Sequence, residues 1–153
     1  MNFIIVLTFK KQRMEKVQLM DFLSKIDKYF TPNLSQKTDL SDYCDKLLSN
    51  AQLFVSYSNG GGNINGLVAL YANDFKNHYA YVSLVAVDSD FRNQGIARNL
   101  LVQAINHVRG LGVDKIQKIG IYTNNHIALH LYETLNFCRI SVSQDRYYLE
   151  LSL

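Results

Sequence analysis

Two short segments hold residue types whose spacing could do chemistry. The first reads Arg92-Asn93-Gln94-Gly95-Ile96-Ala97-Arg98 and runs into a strongly periodic apolar stretch. A helix starting there would present unpaired N–H groups and partial positive charge. Small residues at Gly95 and Ala97 would let an anionic group approach the backbone closely, and Arg92 and Arg98 could add side-chain charge. Such a site would suit a pyrophosphate. The alternative is that Gly95 only eases the chain into the helix and both arginines are solvated. No Gly-Lys-Ser/Thr follows, so this is not a P-loop. The third glycine and later acidic residue of the dinucleotide fingerprint are also missing. The second segment runs from Asn125 to Phe137, just past an expected strand end. Asn125 could cap a helix or bond a ligand. Tyr132 lies one turn beyond Ala128 on the same face, and could be a core tyrosine or a catalytic group.

The elements that must position these residues follow from apolar periodicity. The run from Phe3 to Phe9 reads as a buried first strand. Val17, Met20, Phe22, Leu23 and Ile26 predict a helix over 13–26. The stretch 29–37, with the only proline, reads as a loop. Thr38 or Asp39 can cap a second helix whose apolar face includes Tyr43, Leu47 and Leu48. Strands are expected at 52–58, 64–72 and 79–87, with turns at 59–63 and 73–77. Ile96, Leu100, Leu101, Ala104, Ile105, Val108 and Leu111 predict the clearest helix, ended by Gly110 and Gly112. A strand at 115–122, a helix at 125–135 and a hairpin at 137–143 and 146–151 complete the chain. The class is α/β in the broad sense, a mixed sheet with helices on its faces.

Taken together, the two segments resemble motifs A and B of the GNAT family of N-acetyltransferases. The run from Leu84 to Ala97 is similar to that family's fourth strand and its R/Q-x-x-G-x-G/A loop. Asn125-His126-Ile127-Ala128, then Leu131-Tyr132-Glu133 and Leu135-Asn136-Phe137, are similar to its N-x-x-A…LYExxGF helix. The resemblance spans about Tyr79 to Phe137. Ser89 stands where many members have proline, Asn93 where glycine is common, and Asn136 in place of the glycine before Phe137. Asparagine tolerates left-handed backbone, so Asn136 can fill that turn.

The resemblance implies an acyl-CoA N-acyltransferase fold: a mostly antiparallel mixed sheet, one parallel strand pair splayed for CoA, and helices on both faces. It implies acetyl-CoA as co-substrate, held along a bulged strand at Val85, Ala86 and Val87. Arg92, Asn93, Gln94, Gly95, Ile96, Ala97 and Arg98 would hold the pyrophosphate, and Asn125 and Tyr132 would meet the pantetheine end. It implies direct attack by a primary amine in a ternary complex, with Tyr132 protonating the departing thiolate. In the histone-acetylating branch a glutamate six positions before the residue matching Val87 takes the amine's proton. Here that residue is Tyr81. Tyr81, Asp74, His78 and solvent all stay open as the route for that proton. The alternative is an impaired acyl-CoA-binding or regulatory module of the same fold.

Composition narrows the partners. At 153 residues with 48% hydrophobic content, the chain suits a single domain over 1–153. Its net charge of +3 is scattered, which argues against a nucleic-acid stripe. Cys44 and Cys138 have no zinc-type spacing and fit a reducing compartment. His107, His126 and His130 read as exposed helix positions without metal-ligand arrangement. The short first apolar run lacks signal-peptide flanks and cannot span a bilayer, so a cytoplasmic, membrane-free protein is expected. Tyr29, Phe30, Asp39, Asp42, Tyr43, Asp74 and His78 should flank the acceptor, suiting a small amine such as an amino sugar. The strand at 146–151 could pair with a second subunit as an exposed edge, so monomer and homodimer are both open.

Overall fold

The computed structural model describes residues 4–5, 14–58 and 62–153. Chain order is β1 (Ile4–Ile5), α1 (Lys16–Ile26), a 3₁₀ turn (Asp27–Tyr29), α2 (Leu34–Lys37), α3 (Leu40–Asn50), β2 (Gln52–Tyr57), β3 (Ile64–Asp74) and β4 (Tyr79–Val87). A second 3₁₀ turn (Ser89–Phe91) leads to α4 (Ile96–Arg109), β5 (Lys115–Tyr122), α5 (His126–Thr134), β6 (Cys138–Ser143) and β7 (Arg146–Ser152). The strands form one sheet in the order β1-β2-β3-β4-β5-β7-β6. Every neighbouring pair is antiparallel except β4 and β5, which α4 joins as a parallel crossover.

The sheet separates two cores. On one face Ile96, Leu100, Leu101, Ala104, Ile105 and Val108 of α4 and Leu129 and Tyr132 of α5 pack on Phe54, Val68, Val82, Ile116 and Leu149. On the other, Leu19, Phe22, Leu23 and Ile26 of α1 and Cys44 and Leu47 of α3 pack on Val55, Leu67, Ala69 and Leu84. β3 is central and buried from Ile64 to Leu70. Gly66 lets α4 close on the sheet, since a Cβ there would stand 2.5 Å from Ile96 Cγ2.

Several expectations need correcting. α1 starts at Lys16, and its phase buries Leu19 while Val17 is exposed. The stretch 29–37 carries α2, closed by a capping box between Asn33 and Gln36. Of the two caps open for α3, Asp39 is the one that serves, accepting from the Asp42 N–H at 3.0 Å. In α3 it is Cys44 that is buried with Leu47, whereas Leu48 faces solvent. Leu111 lies beyond the end of α4 and is exposed. His107 is half-buried, edge-on to Phe54 at 5.8 Å. β7 is not an edge: it runs between β5 and β6, so the hairpin's first strand takes the outside position. Most of the expected first strand, and the turn residues 59–61, lie outside the described residues. Among the described residues no helix is long and apolar enough to cross a membrane.

Candidate active site

The site starts from a one-residue irregularity in β4. Ala69 pairs with Leu84 but Leu70 pairs with Val82, so Ser83 is an extra residue opposite β3. The consequence is visible in the packing. Val82 belongs to the α4/α5 core, Leu84 and Ala86 to the α1/α3 core, and Val85 and Val87 lean back toward α4. At the same place the parallel ladder stops. β4 and β5 pair at Tyr79↔Lys115, Ala80↔Ile116 and Tyr81↔Gln117 and no further. From Val82 to Val87 the edge of β4 that faces β5 pairs with no strand among the described residues, leaving a V-shaped cleft with its vertex at Tyr81.

The open end of the V meets the loop into α4. Asn93 (φ 61°) and Gly95 (φ 74°) are both left-handed, and no side chain caps α4. Helix geometry leaves the first N–H groups of α4 without intrahelical acceptors, and the glycine at the cap offers no side chain to take one. A Cβ on Gly95 would meet nothing within 4 Å, so the space over the loop is open. Helix start and curled backbone together make an anion cradle. Ser89 and Arg92 are held by Tyr29: its hydroxyl bonds Ser89 Oγ at 2.8 Å, and the Arg92 guanidinium lies 4.4 Å from its ring centre. This clamp is not legible in the sequence because it joins residues sixty positions apart. Asp88, at the strand end, is buried and paired to Lys25. Burial opposes its ionisation, but the Lys25 hydrogen bond, the Asp90 N–H and the charges of Lys25 and Arg92 outweigh that, and its pKa is lowered. Arg98 turns away to Thr134 Oγ1 at 3.2 Å, bracing α4 on α5.

Past the other strand, Asn125 caps α5 by accepting the Ala128 N–H at 3.2 Å. Asn136 has φ 68°, filling the left-handed turn before Phe137. Tyr132 is 2% exposed, edge-on to Phe137 at 5.2 Å, and its hydroxyl has no hydrogen-bond partner among the described residues. Burial pushes its pKa well above the ordinary tyrosine value. Tyr81, at the vertex, donates to Asp74 Oδ2 at 3.3 Å. Burial, followed by that hydrogen bond and the Asp74 charge, raises its pKa. Asp74 is held low chiefly by the Asn77 side chain and N–H. His78 is exposed, its Nδ1 3.3 Å from the Gly112 carbonyl oxygen.

Sequence reasoning missed Lys118. It is the first β5 residue past the last rung, and its Nζ donates across the V to the Val82 and Ser83 carbonyls at 3.3 and 3.4 Å. The residue is half-buried, yet desolvation lowers its pKa to about 8.

A bulged strand splaying from its parallel neighbour, with an anion cradle at the wide end, defines a protein that can receive an extended, phosphate-bearing ligand as an added strand. The chain belongs to the acetyltransferase (GNAT) family, whose model matches residues 19–137. Among solved structures, a GNAT-family acetyltransferase from Staphylococcus aureus MU50 is 22% identical with a TM-score of 0.74, over 95% of this chain and 97% of that one. The ribosomal-protein-S18-alanine N-acetyltransferase of Escherichia coli is 18% identical with a TM-score of 0.72, over 99% and 94%. A Bacillus subtilis acetyltransferase in complex with CoA is 18% identical with a TM-score of 0.61, over 73% and 83%. At these identities the likeness is one of fold. No curated protein matches the chain.

Proposed function

We propose that this protein transfers the acetyl group of acetyl-CoA to the primary amine of a small acceptor, by direct attack in a ternary complex. The observation that carries the reading is the coincidence of the Ser83 bulge with the end of the β4/β5 ladder, because it leaves strand-pairing groups free beside an anion cradle. The residues fit acetyl-CoA on three counts. The backbone from Asn93 to Arg98 and the start of α4 suit its pyrophosphate. The free edge at Val85, Ala86 and Val87 suits the amide-rich pantetheine arm. The unpartnered Tyr132 hydroxyl is a buried donor without an acceptor. The Bacillus subtilis neighbour, crystallised with CoA, supports the same reading.

Each residue then has a task. The cradle and the strand edge fix the donor, which removes much of the entropic part of the barrier. A backbone N–H freed at the bulge polarises the thioester carbonyl. Tyr132, protonated throughout the neutral range, donates to the sulfur as C–S cleavage places negative charge there. Tyr81 is also protonated, so its part is to orient the acceptor at the vertex with Asp74 behind it, and the amine arrives neutral or loses its proton to solvent. The acceptor side mixes aromatic and acidic groups, which favours a small amine, including an amino sugar.

Calorimetric titration with acetyl-CoA, dephospho-CoA and free pantetheine tests the reading, followed by thiol release over an amine panel. Affinity should collapse when the pyrophosphate is absent. Absence of binding to every CoA species would remove the assignment.

A further inference from the structure

The vertex of the cleft holds an amine of the protein's own. Lys118 lies on the same sheet face as its neighbours Ile116 and Leu149, which belong to the core that holds Tyr132. Its two described hydrogen bonds go to the Val82 and Ser83 carbonyls, the pair that the bulge turns into the gap. An ammonium has three donors, so two neutral acceptors leave it under-compensated. The carboxylates on the flanking strands are engaged elsewhere. Glu150 of β7 takes Lys115 at 2.9 Å and Gln117 at 3.4 Å, and Asp74 beyond β4 takes Tyr81 and Asn77. Desolvation without a carboxylate partner is the environment that turns a lysine into a nucleophile. With a pKa of about 8, a useful share of the amine is neutral in mildly alkaline solution. Surface lysines such as Lys16, Lys25 and Lys115 are shifted the other way by their carboxylate partners.

We infer that Lys118 is a site of self-acetylation, the acceptor that the cleft uses when no external amine is bound. The inference rests on the acyl-CoA reading above. A donor anchored by its pyrophosphate at Asn93–Arg98 and lying along Val87 to Val85 must carry its thioester toward Ser83, where the Lys118 amine waits. The nitrogen lone pair attacks the thioester carbon, the N–C bond forms and the C–S bond breaks. The sulfur leaves with the bonding pair and gains one proton, the nitrogen loses one, and the products are Nε-acetyl-lysine and free CoA thiol. The acetylated side chain has lost its charge and fills the vertex, so the modification limits further turnover. An external amine that occupies the acceptor side competes for the same acetyl group.

The test is to incubate the purified protein with acetyl-CoA alone and map the product by intact mass and peptide mass spectrometry, with acetyl-CoA binding followed in parallel by calorimetry. One acetyl group on the Lys118 peptide is expected, forming faster as pH rises through about 8. It should persist in Lys46→Arg, which changes an exposed lysine, and vanish in Lys118→Arg and Lys118→Gln. Binding without acetyl on Lys118 overturns the inference and leaves the acyl-CoA reading intact. So does acetyl spread over surface lysines at the rate seen in urea-unfolded protein. Absence of binding overturns both.

Discussion

Replacing Tyr132 by phenylalanine should stabilise the free protein and slow it as an enzyme. The ring would keep its place, edge-on to Phe137 at 5.2 Å in a site only 2% exposed. What is lost is one hydroxyl that has no hydrogen-bond partner among the described residues. An orphaned buried polar group costs about 1–3 kcal/mol, so its removal should return about 1 kcal/mol after allowance for relaxation. A chain of 153 residues unfolds with an entropy of about 0.3 kcal/mol/K, which converts that gain into a Tm rise of about 3 °C. Loss of a proton donor to the departing sulfur should lower kcat by about a hundredfold. The acetyl-CoA Kd should hold steady, because the cradle and strand edge are untouched. Calorimetric melting and a thiol-release assay read the two effects on one preparation. A lower Tm would mean that the hydroxyl is tied into the folded protein, and an unaltered kcat would mean that the sulfur does not need it. Either result refutes the reasoning, which requires both signs together.

Other perturbations follow from the same geometry. Gly66→Ala would place a Cβ 2.5 Å from Ile96 Cγ2 and 3.3 Å from Leu100 Cδ1, costing about 1–3 kcal/mol of overpacking. It should lower Tm and weaken acetyl-CoA binding together, since Ile96 begins the helix that closes the cradle. Gly95→Ala meets no atom within 4 Å but keeps a left-handed φ of +74°, so about 1–2 kcal/mol of backbone strain is expected. Calorimetry should show about a tenfold loss of acetyl-CoA affinity if the loop relaxes, equivalent to about 1.4 kcal/mol. Asp88 has a lowered folded-state pKa, so its stabilisation is present above the unfolded carboxylate value of about 4 and is lost as pH falls through the folded one. Melting curves of the wild type should drop more steeply below about pH 4 than those of Asp88→Asn, which has no such proton to gain.

Some of this could be read from residue types and some could not. Asn93, Gly95 and Asn136 are types that accept positive φ, and all three adopt it, because that preference is local and needs no partner. The apolar stripe of α4 was equally local. Helix phase was less secure: in α1 both Val17 and Leu19 are apolar, and only the sheet decides that Leu19 turns inward. Strand order is non-local altogether. The alternation in 146–151 shows a strand with one buried face, yet says nothing of whether β7 or β6 pairs with β5. Lys118 was hidden for the same reason. A lysine between Gln117 and Ile119 is not marked by its residue type as anything but a strand residue, and only the place where the β4/β5 ladder ends puts its amine opposite the Val82 and Ser83 carbonyls.

The bulge explains why cleft and cores arise together. One inserted residue at Ser83 reverses the facing of β4, so Val82 supports α4 and α5 while Leu84 supports α1 and α3. The added local twist that a bulge brings is also what parts β4 from β5 after three rungs. An open strand edge inside a sheet would ordinarily invite unwanted pairing, and natural sheets guard such edges with charge, lysine above all. Lys118 meets that need by bonding the two carbonyls nearest the vertex. Guarding the edge and standing in the path of an acyl group are therefore the same placement. If Lys118→Gln left amide exchange at Leu84 and Val85 unchanged while abolishing self-acetylation, the two roles would separate. If amide exchange there quickened as acetylation vanished, a single side chain would be serving both.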